Sequence, residues 1–456
     1  MNRTITRAGS RWQKGSLREI LGLQCAPNGC ADACPASIDL PEPIRGIMSS
    51  PLSSSLSVQP DLAGPWQRTA AYAGLLGTDG RLSTTIFTEM TMLARQLGAI
   101  NLGQGFPDED GPQQVLDAAK AAIDAGINQY SPGRGEPDLR AAIGEHQQRF
   151  YGLEADPGTE ILVTAGATEA IAATVLALVE PGDEVVTFEP FYDAYAAVIG
   201  LAGGRHVTVA LRAPDFQPDL DEFDTVVTDK TRLIIVNDPN NPTGAVFPAE
   251  TLQHIVDLAH RHNAFIVTDE VYEHLVFDGA RHIPVATLPG ATERTITISS
   301  AGKTFSTTGW KIGWVVAPAD VITAILTVKQ YLTFVNGAPF QPAIATGLRL
   351  GDDFYASIAS NLQRKRTILI DGLQQAGFQV FSPAGAYYVL VDTAAVGFED
   401  ATQLARRLPE LVGVVGVPVS AFVQPEHVAQ YRSLLRFAFC KREDVLREAA
   451  SRLAGL

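Results

Sequence analysis

The sequence predicts an α/β protein: a large domain on a mostly parallel central sheet with helices on both faces, and a smaller α+β domain after it. Three observations predict this. Between Gly158 and Ala317, short continuously apolar runs alternate with helical runs, the pattern of strands buried on both faces. Residues suited to chemistry collect just after those runs, where open parallel sheets hold their ligands. From about Tyr331 two long helical stretches flank shorter strands instead.

Taken in order, residues 1–80 read as an N-terminal extension of linker or disordered character. They are rich in Ser, Pro, Gly and Ala, as in "SSPLSSSLSVQP" (Ser49–Pro60). Residues 81–115 read as an N-terminal arm contributing to the small domain. The large domain is expected over 116–330. There "EILVTAG" ends a β-branched run in glycine, and "TEAIAATVLALVE" follows as an apolar helix closed before Pro181-Gly182. The runs "EVVTFEP", "RHVTVAL", "RLIIVNDP", "AFIVTDE", "RTITISS" and "IGWVVAP" complete the strand set, with helical segments such as "PAETLQHIVDLAHRHN" between them. The small domain is expected over 331–456, from the helical "FYASIASNLQRKRTILIDGLQQAG" and "EDVLREAASRLAGL" and the strands "AYYVLVD" and "LLRFAF".

Bulk properties narrow the function classes. The chain has 456 residues, 46% hydrophobic and 19% charged, with a formal charge of -15. The acidic balance argues against nucleic acid or an anionic membrane as the main partner. No apolar run approaches the roughly 20 residues of a membrane helix. Arg3, Arg7, Arg11, Lys14 and Arg18 fall at helical spacing; an exposed basic tail and a targeting helix share that pattern. The extension also carries Cys25, Cys30 and Cys34, the last before Pro35. Their spacing does not match an iron–sulfur ligand run, so no metal is expected.

Five motifs carry the chemistry. In "SSAGKTFSTTGWKIGW" (Ser299–Trp314), Lys303 stands just past a strand among small residues. An isolated lysine is usually a solvated one. Here Ser300 and Lys311 flank it, so that two cations and a hydroxyl can form a phosphate nest, and the neighbouring cation eases deprotonation of the Lys303 amine. In "VTDEVYEHLVFDG" (Val267–Gly279), Asp269 closes a strand; alone it reads as a helix N-cap, but a carboxylate there can also pair with a protonated ring nitrogen. Tyr272 follows within reach of a phenolic oxygen. In "NDPNNPTG" (Asn237–Gly244), prolines and glycine force an irregular turn that can aim Asn237 and Asn241 into the pocket. "GATEA" (Gly166–Ala170) is a strand-to-helix junction whose N–H groups at Ala167 and Thr168 suit a phosphate. "FEPFYDAY" (Phe188–Tyr195) offers an aromatic to stack on a planar cofactor, or merely a core pair.

In this order the five motifs resemble the class I/II aminotransferases of fold type I, from about Thr84 to Leu456. Within them the chain is most similar to the branch of kynurenine, glutamine and methionine aminotransferases and the actinobacterial N-succinyldiaminopimelate aminotransferase. "NLGQGFPDEDGP", "VNDPNNPTGAV", "TDEVYEHLVFD", "GAPFQPA" and "RFAFCKR" carry that likeness. The resemblance implies pyridoxal 5'-phosphate as cofactor, with Lys303 as its Schiff-base lysine and Asp269 as the partner of the ring nitrogen. Tyr272 and Asn241 would contact the ring oxygen, and Tyr192 would stack on the ring. Ser300, Lys311, Ala167 and Thr168 would bind the phosphate, together with Tyr130 reaching from a neighbouring subunit. Arg436 would grip the substrate α-carboxylate, assisted by Asn237 and the backbone of Gly105. It further implies a cytoplasmic homodimer with shared active sites, acting on amino acids and 2-oxo acids. The expected reaction is transamination of N-succinyl-LL-2,6-diaminopimelate with 2-oxoglutarate, in lysine and diaminopimelate biosynthesis. A kynurenine, glutamine or methionine aminotransferase, or a C–S β-lyase on the same fold, are the alternatives. Arg134 is the evident cation near the expected pocket entrance for a donor's distal acid; a solvated or structural arginine is the competing reading.

Overall fold

The computed structural model describes residues 64–77 and 79–456. The segment holding Cys25, Cys30, Cys34 and the basic run lies outside the described residues. The expected alternation folds into a seven-stranded sheet. Its strands are β2 (Ile161–Thr164), β3 (Glu184–Glu189), β4 (Arg205–Ala210), β5 (Thr231–Asn237), β6 (Phe265–Asp269), β7 (Thr295–Ser300) and β8 (Gly313–Val316), after a short β1 (Ile100–Asn101). Their order is β2-β8-β7-β6-β5-β3-β4. β8 runs against both neighbours, and all other pairs are parallel. Period-two side chains divide between two cores, one on each face. Val185, Leu233, Ile235, Val267 and Ile298 join one, and Val186, Phe188, Ile234, Val236 and Ile266 the other. That two-sided burial is why these strands are apolar throughout.

After a helix at Phe340–Leu348 that packs on helices Gln113–Asp124 and Pro137–Tyr151, the chain builds a second sheet. This comprises β9 (Gln379–Phe381), β10 (Tyr388–Asp392), β12 (Val417–Pro418) and β13 (Leu434–Ala438), antiparallel in the order β12-β13-β10-β9. Helices Asp352–Gln375 and Glu443–Leu453 pack together beside it. The arm joins this part: β1 pairs in parallel with β11 (Val414–Val415), and helix Ile86–Leu97 packs on helix Ala401–Leu411.

One expectation is corrected. The linker reading of residues 1–80 fails for Pro65–Tyr72, which form a helix. Proline at its first turn suits a helix start, and tertiary packing sustains it. The Arg68 Nε donates to the Gly200 carbonyl (3.3 Å) and the Tyr72 hydroxyl to that of Gly204 (3.1 Å). Eight residues are too few for a periodic pattern to stand out, and a helix this short relies on its neighbours.

Candidate active site

Parallel strands bring their carboxyl ends to one edge, and the antiparallel β8 brings its amino end there as well. At that edge lies a cavity of about 460 Å³, of the size that holds a small cofactor with its substrate. It is lined by Lys303, Asp269, Tyr272, Asn241, Tyr192, Ala167, Thr168, Ser300, Lys311, Arg436, Asn237 and Gly105. Of the residues expected to hold the cofactor or the substrate α-carboxylate, only Tyr130 lies elsewhere. It is 82% exposed, its ring packed edge-on against Phe334 at 5.4 Å.

Asp269 ends β6 and is buried. Its Oδ2 accepts a hydrogen bond from the Tyr195 hydroxyl at 2.6 Å, while Oδ1 has no partner among the described residues. Burial pushes its carboxyl up to about 6, against the pull of Tyr195, the Val271 N–H and the Lys303 charge. Such an unpartnered acceptor suits a cationic N–H donor, which would reverse the shift. Lys303 follows β7 in a single helical turn, Ala301–Thr304. Its Nζ donates to the Gly105 carbonyl at 3.3 Å and lies over the rings of Tyr387 and Tyr272. Gly105 cannot be larger: a Cβ there would stand 1.8 Å from the Tyr388 hydroxyl.

A cradle for an anion forms where β2 turns into helix Gly166–Leu178. Gly166 has φ +76°, and a Cβ on it would lie 3.2 Å from Lys311 Nζ. The first N–H groups of a helix lack intrahelical acceptors, and Ala167 and Thr168, second and third in this helix, line the cavity. Lys311 takes a left-handed backbone, φ 55°. Asn336 steadies it by donating to the carbonyls of Lys311 (2.9 Å) and Thr164 (3.0 Å).

Arg436, on β13, faces the cavity from the second sheet. Its guanidinium donates to Asn241 Oδ1 (2.9 Å) and to the Gly103 carbonyl (2.8 Å), leaving Nε without a partner among the described residues. It lies over the rings of Tyr388 (4.1 Å) and Phe422 (4.4 Å), where cation–π attraction fixes its plane. Asn237 lines the cavity and joins two neighbouring strands. Its Nδ2 donates to the Asp269 carbonyl (2.9 Å) and its Oδ1 accepts from the Asn241 N–H (2.7 Å), so it braces β5 to β6. Gly105 lines the cavity and its carbonyl takes the Lys303 Nζ, while the Gly103 carbonyl takes an Arg436 N–H. Arg134 does not line the cavity; it donates to the Thr159 carbonyl at 2.9 Å. Sequence reasoning missed Tyr195, Tyr388, Phe87, Phe422 and Asp193. Tyr195 was within reach, three residues after Tyr192 on a helix face; the others carry no local signal.

The residues therefore fit a planar, phosphorylated, protonatable ring. The cradle suits a phosphate, Asp269 Oδ1 a ring N–H, Lys303 a carbonyl carbon, and Arg436 a carboxylate. Burial holds the Tyr272 phenol well above its ordinary range and Tyr192 up to about 12, so both keep their hydroxyl protons. Among the described residues no helix is long and apolar enough to cross a membrane.

The family profile "Aminotransferase class I and II" matches residues 98–453. The chain is 50% identical over 383 residues to a probable N-succinyldiaminopimelate aminotransferase of Mycobacterium tuberculosis, covering 82% of this chain and 96% of the relative. It is 40% identical over 376 residues to the methionine aminotransferase of Escherichia coli, covering 82% and 97%. The solved N-succinyldiaminopimelate aminotransferase of Mycobacterium tuberculosis superposes with a TM-score of 0.79 at 51% identity, covering 82% of this chain and 97% of that one.

Proposed function

This chain belongs to the class I and II aminotransferases, pyridoxal-phosphate-dependent transaminases, and from that premise we propose that it transfers the amino group of N-succinyl-LL-2,6-diaminopimelate to 2-oxoglutarate. The observation that carries the substrate is the 50% identity to the mycobacterial enzyme over 96% of that enzyme's length. A second reading, methionine aminotransferase, draws on the wall around Arg436, where Phe87 and Phe422 line the cavity. Lys303, Lys311 and Arg436 are the cations lining it among the described residues, and all three have other roles. A distal carboxylate would then need a partner from a second subunit, since burying it unpaired is costly.

The proposed division of labour follows from the geometry. When bound, pyridoxal phosphate supplies an electrophilic carbon for the amino group and a ring that takes up the electron pair left by the α-proton. Arg436 orients the substrate α-carboxylate through its in-plane donors. Lys303 Nζ takes the α-proton and returns it as general base and acid. Asp269 Oδ1 keeps the ring nitrogen protonated, and Tyr272 and Asn241 donate to the ring oxygen. The cradle of Ala167, Thr168, Ser300 and Lys311 anchors the phosphate. We further propose a cytoplasmic homodimer; exposed aromatic surface at Tyr130, Tyr331 and Phe334 supports an interface there, with Tyr130 reaching the partner's phosphate. Steady-state assay of succinyldiaminopimelate, methionine, kynurenine and glutamine as donors with 2-oxoglutarate tests the substrate. The proposal fails if kcat/KM for methionine or kynurenine exceeds that for succinyldiaminopimelate.

A further inference from the structure

A buried ionic cluster lies behind the cavity, and the chemistry above does not use it. β5 and β6 end in Asn237 and Asp269, and each is followed directly by an acid, Asp238 and Glu270. Successive side chains along a strand point to opposite sides, and neither acid lines the cavity. His282 stands between them. Its Nδ1 is 3.3 Å from Asp238 Oδ2 and its Nε2 is 3.1 Å from Glu270 Oε2, with all three side chains buried. The acids are anchored further. Asp238 Oδ1 accepts from the Phe247 N–H (2.8 Å), and the Glu270 N–H donates to the Ile298 carbonyl (2.8 Å). An imidazole donates from both nitrogens only when protonated. Burial opposes that charge, but the Glu270 and Asp238 carboxylates outweigh it and push His282 up to about 10.

We propose that His282 is a positioning residue for the transamination site: its two N–H groups clamp the ends of β5 and β6 together and thereby hold Asn237 and Asp269 in register in the cavity. The clamp closes a ring. On the cavity side Asn237 Nδ2 donates to the Asp269 carbonyl at 2.9 Å; on the far side the imidazolium joins the two following residues. The clamp also has an electrostatic arm. The Glu270 charge raises the Asp269 carboxyl, and the imidazolium is the counter-charge of the Glu270 carboxylate. Without His282, two buried carboxylates would face each other with no cation between them, and their repulsion would push the strand ends apart.

The inference rests on the reading of Asp269 as the partner of the ring nitrogen, so Asp269→Asn is measured alongside. The variants are His282→Gln, Glu270→Gln and the double variant, each read by its dissociation constant for pyridoxal phosphate and by kcat/KM. His282→Gln weakens cofactor binding on the order of 10–100-fold, the range carried by residues that orient ligating groups. The double variant, which removes the surplus charge, restores most of the lost affinity. Unchanged cofactor affinity in His282→Gln, or a double variant no tighter than the single, overturns the clamp. Should His282→Gln fail to fold, Glu270→Ala, which leaves no acceptor for Nε2–H, breaks one arm alone, and unchanged cofactor affinity there overturns it equally. Unchanged affinity and turnover in Asp269→Asn would instead remove the reading of Asp269.

Discussion

Asp269→Asn separates what burial does to this carboxyl from what the cofactor asks of it. Folding raises the Asp269 carboxyl from 3.8 to about 6 by desolvation. A carboxyl raised by folding holds its proton more tightly in the native state. Its contribution to stability is therefore present below the unfolded value and lost as pH rises to about 6. At about 1.4 kcal/mol per tenfold change in proton affinity this amounts to ~3 kcal/mol of stability lost between pH 3 and pH 7 in cofactor-free protein. Asparagine has no such titration. Urea unfolding of both cofactor-free proteins at several pH values is the assay. The difference between them should grow in favour of the variant by ~3 kcal/mol across that window. With cofactor the effect reverses: the variant loses the carboxylate that faces the ring nitrogen, and kcat falls on the order of 100-fold or more. Parallel pH–stability curves for the two cofactor-free proteins would refute the desolvation argument, and wild-type turnover in the variant would refute the electron-sink role.

The other predictions concern single contacts. Lys303→Ala should abolish the yellow absorbance of the bound cofactor and the activity with it, and a coloured, active variant would move the cofactor lysine elsewhere. Arg436→Lys keeps a charge but loses the in-plane donors to Asn241 and Gly103; kcat/KM should fall ~10–100-fold for every α-amino acid donor, as expected for loss of charge-assisted bonds of ~1.5–3 kcal/mol. Deleting residues 1–63 should leave transamination intact. Extending the deletion through Tyr72 should lower the melting temperature, because the bonds of Arg68 to Gly200 in helix Asp193–Ala202 and of Tyr72 to Gly204 just after it are lost; equal melting temperatures for the two deletions would show that helix Pro65–Tyr72 contributes nothing.

Lys303, Asp269 and Lys311 were legible because each sits at a sheet edge that apolar runs announce in advance. A strand buried on both faces must be continuously apolar, so a polar residue at its end stands out. The same logic reached Asn237 but not its tie to β6. Whether an amide faces a substrate or a neighbouring strand depends on a partner that lies 32 residues away along the chain, and no local pattern records that. Residues 65–72 show the converse: local composition read as linker, and packing on a distant helix decided otherwise.

By itself, then, the sequence determined the alternation of elements, the parallel character of the large sheet and the edge at which the chemistry collects, because these follow from periodicity and burial within short windows. Only the tertiary structure decided which groups meet at that edge. It sets Tyr195 on Asp269 and stacks Arg436 between Tyr388 and Phe422. It also buries His282 between two acids and leaves Tyr130 outside the cavity. The physical reason is the same in each case: hydrogen bonds, cation–π contacts and desolvation act through space over a few ångströms, between residues whose separation along the chain is set by topology rather than by local pattern.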